Sequence, residues 1–268
     1  MSLAFQWLCW RRDVSNFAML KYRDFDGFVV TMQHSGTHWL KYMMSVAIAH
    51  QYGLEPPRYI HNASSNDLIG HPKHPRIYPR APRLASSHSI PHVLFDSRLV
   101  RWATTFPANI VLVRDLRAAL VSNYEKWKTK YDVTFAEYLR GDLRGKRFNF
   151  DLWSGIHYFN RWSRVRKRFP DAVHVLTYEH LQSDPMRELG LIFGHLNIRI
   201  DCRHLETAAR AGTKDNMAEM LDPDEPVTNI VRDSEDDPLS WFSGSDRAFF
   251  DATCARLLQE NFGYQFGW

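Results

Sequence analysis

Cysteine is scarce in this chain of 268 residues: Cys9, Cys202 and Cys254 are the only three, they lie far apart, and no CxxC pair occurs. That excludes a disulfide framework and a zinc knuckle, and it points to a reducing compartment. No HExxH is present, and the histidine pairs His34/His38 and His88/His92 have no third ligand beside them, so no metal centre is expected. No apolar run approaches the roughly 20 residues that span a bilayer. The opening MSLAFQWLCWRR places its apolar residues before its arginines, the reverse of a secretory signal. These lacks together describe a cytoplasmic protein without a transmembrane segment. Phe5, Trp7, Leu8 and Trp10 leave room for peripheral contact with a membrane. A strong excess of one charge is lacking too. With 34 basic residues against 30 acidic, the net charge of +4 is too small to suggest a nucleic-acid partner.

Core-forming residues are plentiful. Hydrophobic residues make up 44% and aromatics 14%, which excludes a disordered chain. Four short apolar runs read as buried strands: Phe28–Met32, Leu84–Ser87, Ile110–Val113 and Val173–Tyr178. Helical spacing falls between and after them, over His38–Gln51, Leu116–Lys128, Ser154–Phe169, Met186–Leu196 and Asp246–Asn261. Strands alternating with helices predict an α/β fold with a mostly parallel central sheet flanked by helices. No repeat and no linker interrupts the chain, so residues 1–268 are expected to form one domain. Two stretches read as loops, the basic and proline-rich His71–Arg83 and the acidic Asp222–Pro238. The run Arg161–Phe169 reads as helix with an exposed basic face.

Three strand ends carry chemistry. The first is followed by the polar turn His34, Ser35, Gly36, Thr37 and then a helix beginning at His38. Such a turn offers backbone N–H groups and a helix N-terminus to an anion. No lysine follows the glycine, so this is not a strict nucleoside-triphosphate loop. The second strand is followed by His88, a side chain suited to general base work near neutral pH. The third is followed by Arg114, with Ser122 two turns into the next helix. In a parallel sheet these ends share one edge, which gathers an anion cradle, a base and a cation. Each signal taken singly also has a structural explanation: a capped helix start, a hydrogen-bonding histidine, a surface ion pair.

The sequence resembles the 3′-phosphoadenosine 5′-phosphosulfate (PAPS)-dependent sulfotransferases. MQHSGTHWL stands in the place of that family's YPKSGTTWL, SSHSIP is similar to its histidine segment, and RDLRAALVS keeps the Arg and Ser spacing of its third motif. VHVLTYEHLQSDP looks like its YE segment, and IVRDSEDDPLSWFSGSD is a loose match to its terminal loop. The likeness covers a core of about residues 28–262. It implies a P-loop-like strand–loop–helix in which His34, Ser35, Gly36, Thr37 and His38 cradle the 5′-phosphosulfate, with Trp39 near the adenine. It implies that Arg114, Ser122 and Arg232 hold the 3′-phosphate and that Tyr178 lines the adenosine pocket. His88 is then the base that deprotonates an acceptor hydroxyl, and adenosine 3′,5′-bisphosphate (PAP) is the product.

Two departures from the family pattern matter. His34 occupies the position of the family's loop lysine, and Ser86 stands where a lysine often precedes the histidine. A protonated His34 is the expected replacement cation, with His38 and Lys41 as the other groups in reach. The expected acceptor is a glycan or another small-molecule or lipid-linked alcohol, flanked by the basic segments His71–Arg83 and Arg140–Arg147. A nucleotide-dependent kinase and a non-catalytic nucleotide- or glycan-binding protein are the rival readings.

Overall fold

Val29 and Val30 are wholly buried, so the first strand has no solvent face, and the rest of the architecture is arranged to cover it. The structure is a computed structural model that describes residues 24–60, 66–71, 73–93, 107–142, 147–224 and 237–268, with Leu3, Phe5, Trp7, Ser97 and Leu99 besides. Its five strands are β1 (Gly27–Thr31), β2 (Ile69–Gly70), β3 (Leu84–Ser87), β4 (Ala108–Val113) and β5 (Val173–Thr177). They form one parallel sheet in the order β2-β3-β1-β4-β5. The α/β expectation and the four predicted strands therefore hold. The two-residue β2 was not foreseen.

The sheet has a helical layer on each face, and its side chains alternate between them. Phe28, Val30, Val111 and Val113 pack with α2 (Leu116–Tyr131), α3 (Phe135–Arg140) and α4 (Leu152–Arg168). Val29, Leu84, Ile110 and Leu176 pack with α1 (Thr37–Tyr52), α6 (Pro185–His195) and α7 (Cys202–Ala211). A short α5 (Tyr178–Ser183), α8 (Lys214–Glu219) and α9 (Gly244–Leu257) complete the described helices. The five predicted helices are present with shifted ends; α3, α5, α7 and α8 were not anticipated.

Two sequence expectations need correction. Phe5 is not a membrane anchor: it is buried against the rings of Trp153 and His157. Leu3 and Trp7 are exposed, while Leu8 and Trp10 lie outside the described residues. Arg161 does not belong to the exposed basic face of α4. It is buried, and its guanidinium donates to the carbonyls of Pro91 and His92 at 3.0 and 2.7 Å. Arg164, Arg166, Lys167 and Arg168 do face solvent. No helix among the described residues is long and apolar enough to cross a membrane.

The C-terminal tail braces the start of α2. Arg117 is buried and pairs with Asp115 at 2.6 Å. It also donates to the carbonyls of Gly267 and Gln265 at 2.6 and 3.3 Å, and its guanidinium lies by the rings of Phe266 and Trp268. Trp268 Nε1 donates to both carboxylate oxygens of Asp251, tying the tail to α9. Arg117→Met is expected to cost about 2 kcal/mol, less than a fully buried pair, because Asp115 and the tail carbonyls can turn to water. Urea unfolding measures the loss, and carboxypeptidase digestion should show the tail released. An unchanged midpoint with a protected tail would contradict this bracing role.

Candidate active site

Four strands deliver their next residues to one edge of the sheet: the turn after β1, His88 after β3, Arg114 after β4 and Tyr178 after β5. The β1 turn is fixed by its own hydrogen bonds. Met32 N–H donates to Leu112 O on β4, and Ser35 returns both its N–H and its hydroxyl to Met32 O, the latter at 2.6 Å. His34 and Gly36 adopt positive φ, at 60° and 93°. Gly36 is required on two counts, since a Cβ there would strain the backbone and come within 2.9–3.0 Å of the Tyr178 ring.

The turn leads into a helix start open to an anion. α1 has no side-chain cap and no acidic residue in its first turn. In contrast, Asp115, Thr134, Asp151, Thr177, Asp184, Asp201 and Ser243 cap the helices that follow them. The first turn of α1 therefore presents the amides of Thr37 and Trp39 without a side-chain cap.

The surrounding side chains suit a nucleotide bearing phosphates. Arg114 Nη1 donates to His34 O at 3.0 Å, and its guanidinium lies over the Tyr178 ring at 4.5 Å. Its Nε is buried with no hydrogen-bond partner among the described residues, a donor left over for an anion. Ser122 Oγ lies 3.5 Å from His34 Nδ1, at the same corner. Trp39 and Tyr178 meet edge to face at 5.4 Å, and Trp39 Nε1 is anchored on Gly212 O. Ser35, Gly36, Thr37, His38, Trp39, Arg114, Ser122 and Tyr178 thus gather where the sequence placed them. Arg232 lies outside the described residues.

His88 is oriented for one task. Its Nδ1 lies 2.8 Å from the carbonyl of Thr31 and 3.2 Å from the Thr31 hydroxyl, which also contacts the Thr37 hydroxyl at 2.7 Å. A carbonyl only accepts, so Nδ1 carries the proton and, in the neutral ring, Nε2 is the nitrogen left with a lone pair. Protein crowds the ring but leaves an edge open to solvent. That crowding, together with Lys41, lowers its pKa, while the bond to Thr31 opposes the shift. His92, the competing base, is buried.

His34 does not supply the expected cation. Burial first, then the fields of Lys126, His88 and Arg114, lower its pKa to about 3, with a hydrogen bond to Asn123 opposing them. The imidazole is neutral at physiological pH. Two lysines flank the site instead. Lys41, one turn into α1, is buried with its pKa lowered to about 8 by desolvation, and its Nζ donates to Asn66 Oδ1 at 2.7 Å. Lys126 sits on α2, one turn beyond Ser122, and partial burial lowers its pKa as well. The sequence reading named Lys41 in passing and missed Lys126, whose helical spacing from Ser122 was its only signal.

The described residues of the basic segments are engaged in contacts of their own. Residues 73–83 enter β3 at its amino end, near Phe25 and Leu84, with Arg83 stacked on Phe25 at 4.3 Å. Arg140 is paired with Asp246 and Arg147 donates to Tyr131 O; residues 143–146 lie outside the described set. Among the described residues, no three His, Cys, Asp or Glu side chains gather closely enough to hold a metal ion.

Comparison with known proteins gives a consistent result. A family model described as a sulfotransferase domain matches residues 24–222. Among solved structures, mouse sulfotransferase SULT7A1 complexed with PAP is similar at 17% identity and a TM-score of 0.60, over 94% of this chain and 91% of that one. Retinol dehydratase in complex with androsterone and inactive cofactor PAP is similar at 13% identity and a TM-score of 0.58, over 95% of this chain and 88% of that one. At such identities these two likenesses speak for the fold. A search of curated proteins returned no match.

The state of His34 has a thermodynamic consequence. An unfolded His34 takes up a proton near pH 6.5, the folded one only near 3. The folded state therefore binds fewer protons between those values, and its stability is present above pH 6.5 and eroded as pH falls through that window. His88, His174 and His195, also lowered mainly by burial, act in the same direction. Urea midpoints should fall from pH 7.5 to pH 5, and by less in His34→Asn. A wild-type midpoint that is flat or rising over this range would contradict a neutral His34.

Proposed function

The chain belongs to the sulfotransferase family, and from that premise we propose that it moves a sulfuryl group from PAPS to an acceptor hydroxyl, with His88 as the general base. The observation that carries this reading is the bond from His88 Nδ1–H to Thr31 O, which leaves Nε2 as a base beside an uncapped helix start. PAPS supplies the sulfuryl group and an anionic leaving group. The amides of Thr37, His38 and Trp39, with the turn at Ser35 and Gly36, hold its 5′-phosphate end. Arg114 and Ser122 bind the 3′-phosphate, where the leftover Nε of Arg114 is satisfied. Trp39 and Tyr178 enclose the adenosine.

His88 Nε2 takes the proton from the acceptor as its oxygen attacks sulfur, and the helix start stabilises the charge that returns to the phosphate. The acceptor is a small-molecule alcohol or glycan hydroxyl. The basic loops lend no support to an anionic glycan, since they lie elsewhere or are engaged in structural pairs. We take residues 1–268 as one domain. The free thiols of Cys202 and Cys254 suit the cytoplasm.

Calorimetry with PAP, adenosine 5′-phosphate and ATP–Mg²⁺ tests the donor assignment. PAP should bind most tightly, and Arg114→Ala should remove most of its advantage over adenosine 5′-phosphate. Preference for ATP–Mg²⁺ would overturn the reading. His88→Ala is expected to lower transfer by about 10²–10⁴ while PAP affinity changes less than about threefold. Retained transfer in that variant would remove His88 from the base role.

A further inference from the structure

The parallel ladder of β4 with β5 ends at the pair Val113 and Thr177. Arg114 and Tyr178 lie one residue beyond it, where strand pairing no longer sets their separation. The tail that follows α9 crosses this place. Asn261 turns the chain back: its carbonyl accepts from the N–H of Tyr264 at 3.0 Å, and its Oδ1 from the N–H of Gly263 at 3.0 Å. Phe262 and Gly263 in the turn adopt positive φ, at 51° and 91°. A phenylalanine is strained there, and its packing on Phe159, with ring centroids 5.2 Å apart, holds it. The turn delivers Tyr264 to the sheet edge, its ring between those of Phe159 and Phe266. Its hydroxyl lies 3.5 Å from the carbonyl of Val113 and donates to Glu179 Oε2. Burial first, then Glu179, raise its pKa, so the hydroxyl keeps the proton it donates. Glu179 Oε1 accepts from the N–H of Asp115 at 3.4 Å. The backbone on both sides of Arg114 is thereby tied to the residue after Tyr178, and the Arg114 guanidinium lies over the Tyr178 ring at 4.5 Å.

We propose that Tyr264 and Glu179 are positioning residues for the nucleotide: their hydrogen bond sets the separation of Arg114 from Tyr178, and with it the seat of the 3′-phosphate. This rests on the PAPS reading above. Both residues act through Arg114 and Tyr178 rather than on the ligand. The clamp serves the β4–β5 side of the crevice, as the bond from His88 to Thr31 serves the β1–β3 side. Its effect falls on the group that Arg114 receives. It therefore bears on PAP and far less on adenosine 5′-phosphate, whose one phosphate belongs to the β1 turn.

Tyr264→Phe, Glu179→Ala, Glu179→Gln and the double variant Tyr264→Phe/Glu179→Ala test the proposal by calorimetry with PAP and with adenosine 5′-phosphate. Tyr264→Phe should weaken PAP about tenfold, the scale of a hydrogen bond to a charged group, and adenosine 5′-phosphate less than about threefold. Glu179→Ala should do the same, and Glu179→Gln, which keeps an acceptor oxygen, should lose much less. The double variant should be no weaker than either single one. A bond that serves folding alone would lower the urea midpoint and leave the ratio of the two affinities where it was. An unchanged ratio, or losses that multiply in the double variant, would overturn the assignment. If the wild-type chain binds neither nucleotide, the donor reading has failed and this role falls with it. If it binds PAP and the ratio holds in every variant, the clamp alone has failed.

Discussion

The bond from His88 Nδ1–H to the carbonyl of Thr31 is the contact on which the rest of the site depends. It joins the carboxyl ends of β3 and β1, so His88 and the β1 turn keep a fixed spacing. It selects the tautomer as well, because a carbonyl cannot donate. The Thr31 hydroxyl extends the link to Thr37, the first residue of α1. β1, the α1 that follows it and the distant β3 are thus joined through one backbone oxygen and one side-chain oxygen. The parallel register of β1 with β3 makes this possible, by ending both strands at nearly the same height.

Much of the fold was legible because the sheet is buried on both faces. Phe28–Met32 has one buried threonine and otherwise only apolar residues, Ile110–Val113 has nothing polar, and both alternate between two cores rather than between core and water. What the sequence hid was short or sparsely buried. β2 is two residues long, too brief to show a period. α7 has Ala208 as its one buried residue, so its apolar stripe is faint despite strong helical phasing. α5 begins at the residue after β5, where a strand pattern and a helix start share the same letters.

The candidate site was legible in its list of residues but not in its electrostatics. Ser35, Gly36, Arg114, Ser122 and His88 follow strand ends, and strand ends in a parallel sheet converge. Charge state depends on burial and on neighbours from elsewhere in the chain. His34 looks like a cation in sequence because it stands in a lysine's place. The fold surrounds it with Lys126, His88 and Arg114 and removes it from water, and each of these acts against a proton on its ring. Phe5 shows the same limit from the apolar side: an amino-terminal aromatic reads as an anchor until α4 offers Trp153 and His157 as its partners.

The field that opposes a proton on His34 comes in part from Lys126. A lysine in the turn would place a second ammonium against the first, with Arg114 close by, in a setting that already penalises charge. An imidazole avoids that repulsion and still fills the space, with a ring N–H to donate to Asn123 and the Ser122 hydroxyl 3.5 Å from its Nδ1. The two side chains are held differently. A side chain on the turn moves with a backbone at positive φ. Lys126 stands on a helix capped by Asp115 and braced by Arg117 and the C-terminal tail. That brace is at the start of α2, directly after Arg114, and so steadies the helix that carries Ser122.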